Sequence, residues 1–289
     1  MKNNVKITVF TPTYNREKNL VNLYRSLRNQ TYFNFEWLII DDGSIDKTDE
    51  IVVGWQKEKN NFEIRYFKQE NGGKCRAINR ALDYANGELF FTVDSDDILT
   101  YDALEKISIW SNDLSINDCY CGFAGNMREI NGKKKNKEFE PGYFDGNAFS
   151  RYKEIDGERA MVFYTKIHRK YKYPEIDGEK FLTEAIVWNR MANDGYKIRY
   201  YNDIIWLYEY KEDGLTKAGH QLFIDNPKGY GLWLKEKCYF TKNTIFNRIK
   251  MYYSFFCDLK DFYDSKQIKE FINMPTFYYK ICIILNRLI

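Results

Sequence analysis

Leu89-Phe90-Phe91-Thr92-Val93-Asp94-Ser95-Asp96-Asp97 joins an apolar run to three carboxylates within four residues. Continuous apolarity over five positions is the pattern of a strand buried on both faces, as in a parallel sheet. Carboxylates this crowded repel one another unless a cation lies between them, and hard oxygen donors suit Mg2+ or Mn2+. An isolated Asp-Ser-Asp-Asp also fits the cap of a helix starting near Leu99, so the surrounding chain has to decide.

Working outward, two more apolar runs end in polar residues: Lys6-Ile7-Thr8-Val9-Phe10 and Glu36-Trp37-Leu38-Ile39-Ile40. Leu20, Leu23 and Leu27 predict an amphipathic helix between them, and residues 45–57 predict another after the second run. Ile64-Arg65-Tyr66-Phe67 reads as a further strand and residues 75–86 as a helix. This βαβαβα order predicts an α/β fold, an open doubly wound sheet whose ligand sits beyond the carboxyl ends of the strands. The unusual polar segments all fall at those ends: Thr11-Pro12-Thr13-Tyr14-Asn15-Arg16, Asp41-Asp42-Gly43-Ser44, Asn71-Gly72-Gly73-Lys74 and the Asp94–Asp97 stretch.

After Ile98 the alternation fades into Cys119-Tyr120-Cys121-Gly122-Phe123, a basic run Lys133-Lys134-Lys135 and a Gly/Asp/aromatic segment to Tyr173. The lysine run reads as a solvated loop, and the irregular half is expected to carry the more variable ligand. From about Asn226 the pattern turns helical, aromatic and basic, which predicts a domain over 1–225 and a helical C-terminal extension over 226–289. That extension either packs on the core or lies on an anionic membrane surface.

Hydrophobic residues make up 44% of the 289, enough for a substantial core. Lys and Arg number 44 against 41 Asp and Glu, a net +3 that implies no nucleic-acid partner. Six cysteines without metal-ligand spacing read as small buried hydrophobes. A start without an apolar leader, and no run of roughly 20 apolar residues, give the expectation of a cytoplasmic protein, at most peripheral on the inner face of the membrane.

In their order and spacing the four rim segments resemble family 2 of the inverting glycosyltransferases, over about residues 5–217. The resemblance implies a GT-A fold, a Rossmann-like open mixed sheet flanked by helices. It implies metal-dependent transfer of a hexose or N-acetylhexosamine from a UDP-sugar donor to a saccharide or lipid-linked saccharide acceptor, as in polysaccharide biosynthesis. Pro12 stiffens the strand exit, Thr11, Thr13 and Tyr14 border the base, and Arg16 lies close enough for phosphate. Asp41 matches the position that accepts from the uracil imide, and Gly73 and Lys74 belong to a glycine-rich anion loop. Where the family commonly has Arg before the Asn at position 79, this chain has Ile78, which leaves Lys74 or Arg76 to supply positive charge.

The family pattern places Asp94 and Ser95 near the ribose and Asp96 on Mn2+ or Mg2+, with Asp97 behind or capping. His220 is a candidate to complete the metal shell with Asp94 and Asp96. Leaving-group charge met by a metal needs no acid, so what remains is a base for the acceptor hydroxyl. Glu184 matches the acidic residue that opens a helix beneath the acceptor, with Glu179 and Asp177 as fallbacks. Residues 208–216 resemble the strand and loop that close over the site, and His168 is expected in a surface segment. A catalytically silent sugar-nucleotide-binding subunit shares these motifs. A sugar-1-phosphate nucleotidyltransferase would need glycines between Thr11 and Arg16, where there are none.

Overall fold

Four parallel strands build the half of the fold that the sequence spells out: β1 (Ile7–Thr13), β2 (Phe35–Asp41), β3 (Glu63–Lys68) and β4 (Leu89–Thr92). The computed structural model describes residues 6–114, 119–130, 132, 138–150, 154–155, 157–209 and 219–288. Lys133-Lys134-Lys135 and most of the proposed closing loop, Tyr210–Thr216, lie outside these. The chain divides into two compact units, Met1–Tyr173 with Asp194–Tyr210 and Pro174–Asn193 with Lys211–Ile289.

In the first unit every side chain of β2 is buried, because helices cover both faces of the sheet. Helix α1 (Leu20–Arg28) turns Leu20, Leu23, Tyr24 and Leu27 inward at helical spacing. Helix α2 (Thr48–Lys57) adds Trp55, which stacks on Tyr24 at 4.3 Å and on Trp37 of β2 at 5.7 Å. Helix α3 (Lys74–Tyr84) follows β3 and buries Ala77, Ile78, Ala81 and Leu82. In register, Thr13 pairs with Asp41 and Asp41 with Lys68, so the polar strand ends share one rim.

Past this rim the sheet becomes mixed. After the short β5 (Ile98–Leu99) and helix α4 (Ala103–Asp113) come β6 (Tyr120–Glu129), β7 (Tyr143–Gly146), β8 (Arg159–Tyr164), the one-turn α5 (Thr165–His168) and β9 (Lys197–Tyr208). Among the described residues the order is β3-β2-β1-β4-β8-β6-β9-β5, with β7 on β9. Strand β8 lies antiparallel to β4 and β6, while β6 and β9 are parallel. The segment that reads as irregular therefore contributes three strands to the sheet. Gly122 permits it, since a Cβ there would overlap the Val162 carbonyl of β8.

A buried polar hub ties the sheet together below the rim. Glu36 is fully buried, and its carboxylate accepts from Thr8 Oγ1 (2.6 Å), Asn86 N (2.6 Å), Asn86 Nδ2 (2.9 Å) and Arg65 Nη1 (2.8 Å). Four donors satisfy the charge that burial would otherwise penalise.

His168, expected near the surface, is buried instead. It lies edge-on to Phe90 with ring centroids 5.5 Å apart, and Phe163 and Tyr173 surround it. A short helix that dips beneath β4 and β8 carries it inward, and nothing in a single histidine's sequence context signals that. Both ring nitrogens lack hydrogen-bond partners, and burial, with Lys172 nearby, pushes the imidazole down to about 3. Of the cysteines, Cys75, Cys121 and Cys282 are buried as expected, but Cys119 is exposed.

The second unit is helical: α6 (Ala185–Asn193), α7 (Gln221–Asp225), α8 (Pro227–Lys242), α9 (Ile245–Leu259), α10 (Ser265–Phe271) and α11 (Thr276–Leu288). Its own core gathers Tyr230, Tyr252, Phe255, Phe256, Leu259, Ile268, Met274 and Tyr278. Arg190 of α6 makes a two-pronged ion pair with Glu236 of α8 at 2.8 and 2.6 Å. Among the described residues no helix is long and apolar enough to cross a membrane.

Two stability outcomes follow. Glu36→Ala strands the Arg65 guanidinium against the sheet and should lower the unfolding free energy by about 3 kcal/mol in urea titration. His168 binds a proton only when unfolded below its ordinary value near 6.5, so its contribution is intact above that pH and is lost as pH falls toward 3. Between pH 7 and 5 this group should cost the fold about 2 kcal/mol, and His168→Leu should flatten the pH dependence in that window.

Candidate functional site

Three loops meet at the carboxyl rim, and side chains of the second loop stitch them together. The peptide N–H of Asp42 donates to the Thr13 carbonyl at 2.8 Å, so the β2 exit is tied to the β1 exit. Asp42 then spends its carboxylate on the third loop. Oδ1 accepts from Gly72 N at 2.9 Å and Gln69 Nε2 at 2.7 Å, while Oδ2 accepts from Gly73 N at 2.7 Å. Its carbonyl accepts from Asn71 Nδ2 at 2.9 Å. Gly43 lies between them at φ +88°, where a Cβ would crowd Asn71 N at 3.1 Å, so only glycine allows the approach.

Between the first and second loops the bonds are reciprocal. Asn15 N donates to Ser44 Oγ at 2.8 Å and Ile45 N donates to Asn15 Oδ1 at 2.8 Å. Glu17 N and Asp46 Oδ2, with Lys47 N and Glu17 Oε2, repeat the pattern one step on. Asn15 itself holds a left-handed φ of 52°, a conformation that Asn tolerates better than most residues.

The predicted nucleotide-contacting residues divide into buried and open sets. Thr11 is buried and its hydroxyl accepts from Trp37 Nε1 at 3.0 Å. Asp41 is also fully buried, accepting from Ser44 N at 2.7 Å and from the Tyr66 hydroxyl at 2.5 Å. Burial, followed by the Asp41 bond, raises the Tyr66 phenol well above its ordinary value. Thr13 is buried with its hydroxyl lacking a partner. Pro12 and Arg16 are half-buried, and Tyr14 stands out into solvent at 47% exposure, a ring available for stacking.

Gly73, at φ +91° and ψ 163°, starts helix α3 and aims Lys74 at the acidic turn. Lys74 Nζ lies 2.7 Å from Asp94 Oδ1, while Arg76 folds back onto the Gly72 carbonyl at 2.8 Å. Of the two candidates for positive charge, Lys74 therefore faces the carboxylates. Ile78 is buried in the α3 interface, and Asn79 beside it exchanges two hydrogen bonds with the Tyr173 backbone at 2.9 and 2.8 Å.

Asp94, Asp96 and Asp97 are half-buried around the buried Ser95, in a turn closed by Asp97 N on the Asp94 carbonyl at 3.2 Å. The Asp97 carboxyl is pushed up to about 8, first by burial and then by the charges of Asp94 and Asp96, with Trp206 and Lys74 opposing. Burial beside two other carboxylates leaves this turn short of positive charge, of which Lys74 supplies only one. The donors are carboxylate oxygens, so Asp94 and Asp96 fit a hard divalent cation. Among the described residues no three His, Cys, Asp or Glu side chains form a ready-made metal cage, which leaves the remaining ligands of such a cation to substrate oxygens and water.

Other predicted residues lie in the second unit. Glu184 is the residue just before α6, half-buried, with its carbonyl accepting from Val187 N at 3.2 Å. Glu179, the fallback, is committed to structure: its carboxylate accepts from Lys228 N and Gly229 N, both at 2.8 Å, and holds the start of α8. His220 stands 3.6 Å from Asp258 Oδ1 beside Phe223 and Tyr230. Asp42, named above only as part of a polar segment, turns out to tie the loops together. The available signal was two successive carboxylates leaving one strand, where alternation sends Asp41 to Tyr66 and Asp42 to the glycines.

Residues 8–168 match the family described as Glycosyl transferase family 2. A GalNAc(5)-diNAcBac-PP-undecaprenol beta-1,3-glucosyltransferase of Campylobacter jejuni is 31% identical over 218 residues, 73% of this chain and 67% of its own. Glycosyltransferases of two Rickettsia species are 36% identical, but the chain spans only 23% of their length. Among solved structures, S. aureus TarS 1-349 in complex with UDP-GlcNAc superposes with a TM-score of 0.62 at 17% identity, covering 97% of this chain and 89% of that one. The mannosyltransferase PcManGT from Pyrobaculum calidifontis, in complex with GDP-Man and Mn2+, gives 0.59 at 17%, covering 88% and 72%. At these identities the likeness is one of fold.

Replacing Asp42 by Ala frees two glycine amides and the loop they belong to. Unfolding free energy should fall by about 2–3 kcal/mol. The thermal midpoint should fall with it, whereas Gln69→Ala, which removes a single neutral donor, should cost no more than about 1 kcal/mol.

Proposed function

We propose, from the premise that this chain belongs to glycosyl transferase family 2, that it is a metal-dependent inverting glycosyltransferase. It moves a hexose or N-acetylhexosamine from a UDP-sugar to a hydroxyl of a surface polysaccharide or lipid-linked oligosaccharide. The observation that carries this reading is the acidic turn at the sheet's carboxyl rim, where Lys74 is drawn onto Asp94 and where burial, with the charges of Asp94 and Asp96, pushes the Asp97 carboxyl up to about 8.

Asp96 and Asp94 would hold Mn2+ or Mg2+ there, a choice supported by the Mn2+ of the fold-related mannosyltransferase. A bound divalent cation supplies charge neutralisation for the departing nucleoside diphosphate. Lys74 provides the second positive charge, and Arg16 and the amides of the first loop border the phosphates. Tyr14 offers its open face to the base. Asp41, sealed beneath the rim, fixes Ser44 and Tyr66, and a direct bond to the uracil imide uses the lone pairs those donors leave. A carboxylate there selects a base with a donor edge, which favours uridine nucleotides and is in keeping with the UDP-GlcNAc held by the TarS neighbour.

Glu184 is the base that takes the proton from the acceptor hydroxyl as its oxygen attacks the anomeric carbon. Its place before α6 suits a carboxylate, because the first-turn amides and the helix dipole favour negative charge there. The undecaprenol-linked substrate in the name of the Campylobacter relative supports a lipid-linked acceptor, and with it peripheral contact with the inner face of the membrane.

The test is UDP release from a panel of UDP-sugars with Mn2+, in the presence and absence of acceptor saccharides. Asp96→Asn should abolish metal-dependent UDP binding together with turnover. Glu184→Gln should bind UDP normally and lose transfer by about 100-fold or more. Unimpaired transfer in either variant removes the role assigned to that residue, and a preference for a GDP-sugar removes the argument from Asp41.

A further inference from the structure

We propose that the second unit docks on an anionic lipid surface through one defined tip, the co-aligned amino-terminal ends of α9 and α11 with the end of α8. The reading rests on the lipid-linked acceptor proposed above only for its purpose; the surface itself stands on its own geometry.

Helices α9 and α11 run side by side in the same direction. The Tyr252 ring of α9 meets the Tyr278 ring of α11 at a tilt with centroids 4.8 Å apart, Arg248 lies over the same Tyr278 ring at 5.9 Å, and further along Lys260 reaches Asn286 at 3.0 Å. Both amino-terminal ends therefore sit at one end of the bundle. Their partial positive charges add rather than cancel, and neither first turn carries an acidic residue that would offset them. The two-residue link Asn243-Thr244 brings the last turn of α8 to the same place.

The side chains at this tip are large, apolar and turned outward. Phe246 is 71% exposed, Tyr239 67%, Phe277 57% and Ile245 56%. Cations lie among them: Lys250 and Lys280 are exposed, and Arg248 is half-buried. Residues 237–257 and 271–289 contain no Asp or Glu at all. Aromatic rings beside unopposed cations, on aligned helix amino-termini, complement a surface with an apolar interior and an anionic face. A protein partner could meet the rings, but the uniform positive field specifically favours lipid phosphates. No helix need cross the bilayer, and among the described residues none could.

The experiment is co-sedimentation of the full chain with vesicles of phosphatidylcholine alone or with about 30 mol% phosphatidylglycerol at ~0.1 M salt. Wild type should bind the anionic vesicles and not the neutral ones, and should release as salt rises to ~0.5 M. Phe246→Ser with Phe277→Ser, and separately Arg248→Gln with Lys280→Gln, should each weaken partition by about tenfold or more. Circular dichroism melting identifies any variant that has lost its fold, and the more exposed Phe246→Ser alone then serves as the reporter. Wild type left in solution with anionic vesicles, or variants that bind unchanged, overturns the proposal. So does a size-exclusion dimer that Phe246→Ser disperses, which makes this face a contact between copies. Transfer to a water-soluble acceptor is measured on the same samples. Vesicle binding without transfer defeats the enzymatic reading alone, and transfer without vesicle binding defeats this one alone.

Discussion

Like charges held together at the end of β4 set the terms for the rest of the first unit. Asp94, Asp96 and Asp97 share one tight turn, and burial together with the charges of the first two raises the Asp97 carboxyl well above its ordinary value. A fold pays such a cost only where the turn cannot relax. Val93 N is pinned to the Phe10 carbonyl at 2.8 Å, β4 is clamped between β1 and β8, and Lys74 is delivered to Asp94 by a helix whose start is fixed by Asp42. The acidic turn is thus a product of the sheet rather than of its own four residues.

That dependence explains why polar groups are invested so deeply in the hydrophobic layer. Glu36 gathers β1, β3 and the α3–β4 connection around one buried carboxylate, and Trp37 bonds Thr11 across the β1–β2 pair. Such bonds hold register where a parallel sheet of uniformly apolar strands would otherwise tolerate slippage. Register in turn decides that Thr13, Asp41 and Lys68 finish level.

Much of this was legible in the residues. Strands β1, β2 and β4 are continuous apolar runs, and α1 shows its Leu20, Leu23, Leu27 stripe, so the parallel half follows from periodicity and from loop chemistry at strand ends. Strands β6, β7 and β8 were opaque, because antiparallel strands in a mixed sheet are pieced together from non-local pairing, and glycines such as Gly122 weaken the local strand signal. At the site, residue types announced the rim but not the wiring. Asp42 reads as a turn residue until its glycine partners, about thirty positions later, are seen beside it. His168 reads as polar until the Phe90 and Phe163 rings close around it.

The Asp42 tether carries an implication for how such chains can diversify. One side chain and its backbone couple three loops that are far apart in sequence, so a residue added to any of them would break bonds in the other two. Length variation is therefore closed to this rim, where novelty must come from exchanging side chains in place. In the β6–β9 part of the sheet the comparable tie is Asn202, which exchanges two hydrogen bonds with the Phe139 backbone, donates its N–H to the Gly142 carbonyl and accepts from Asn126 Nδ2 at its own carbonyl, so a change of length beside it likewise breaks several bonds at once.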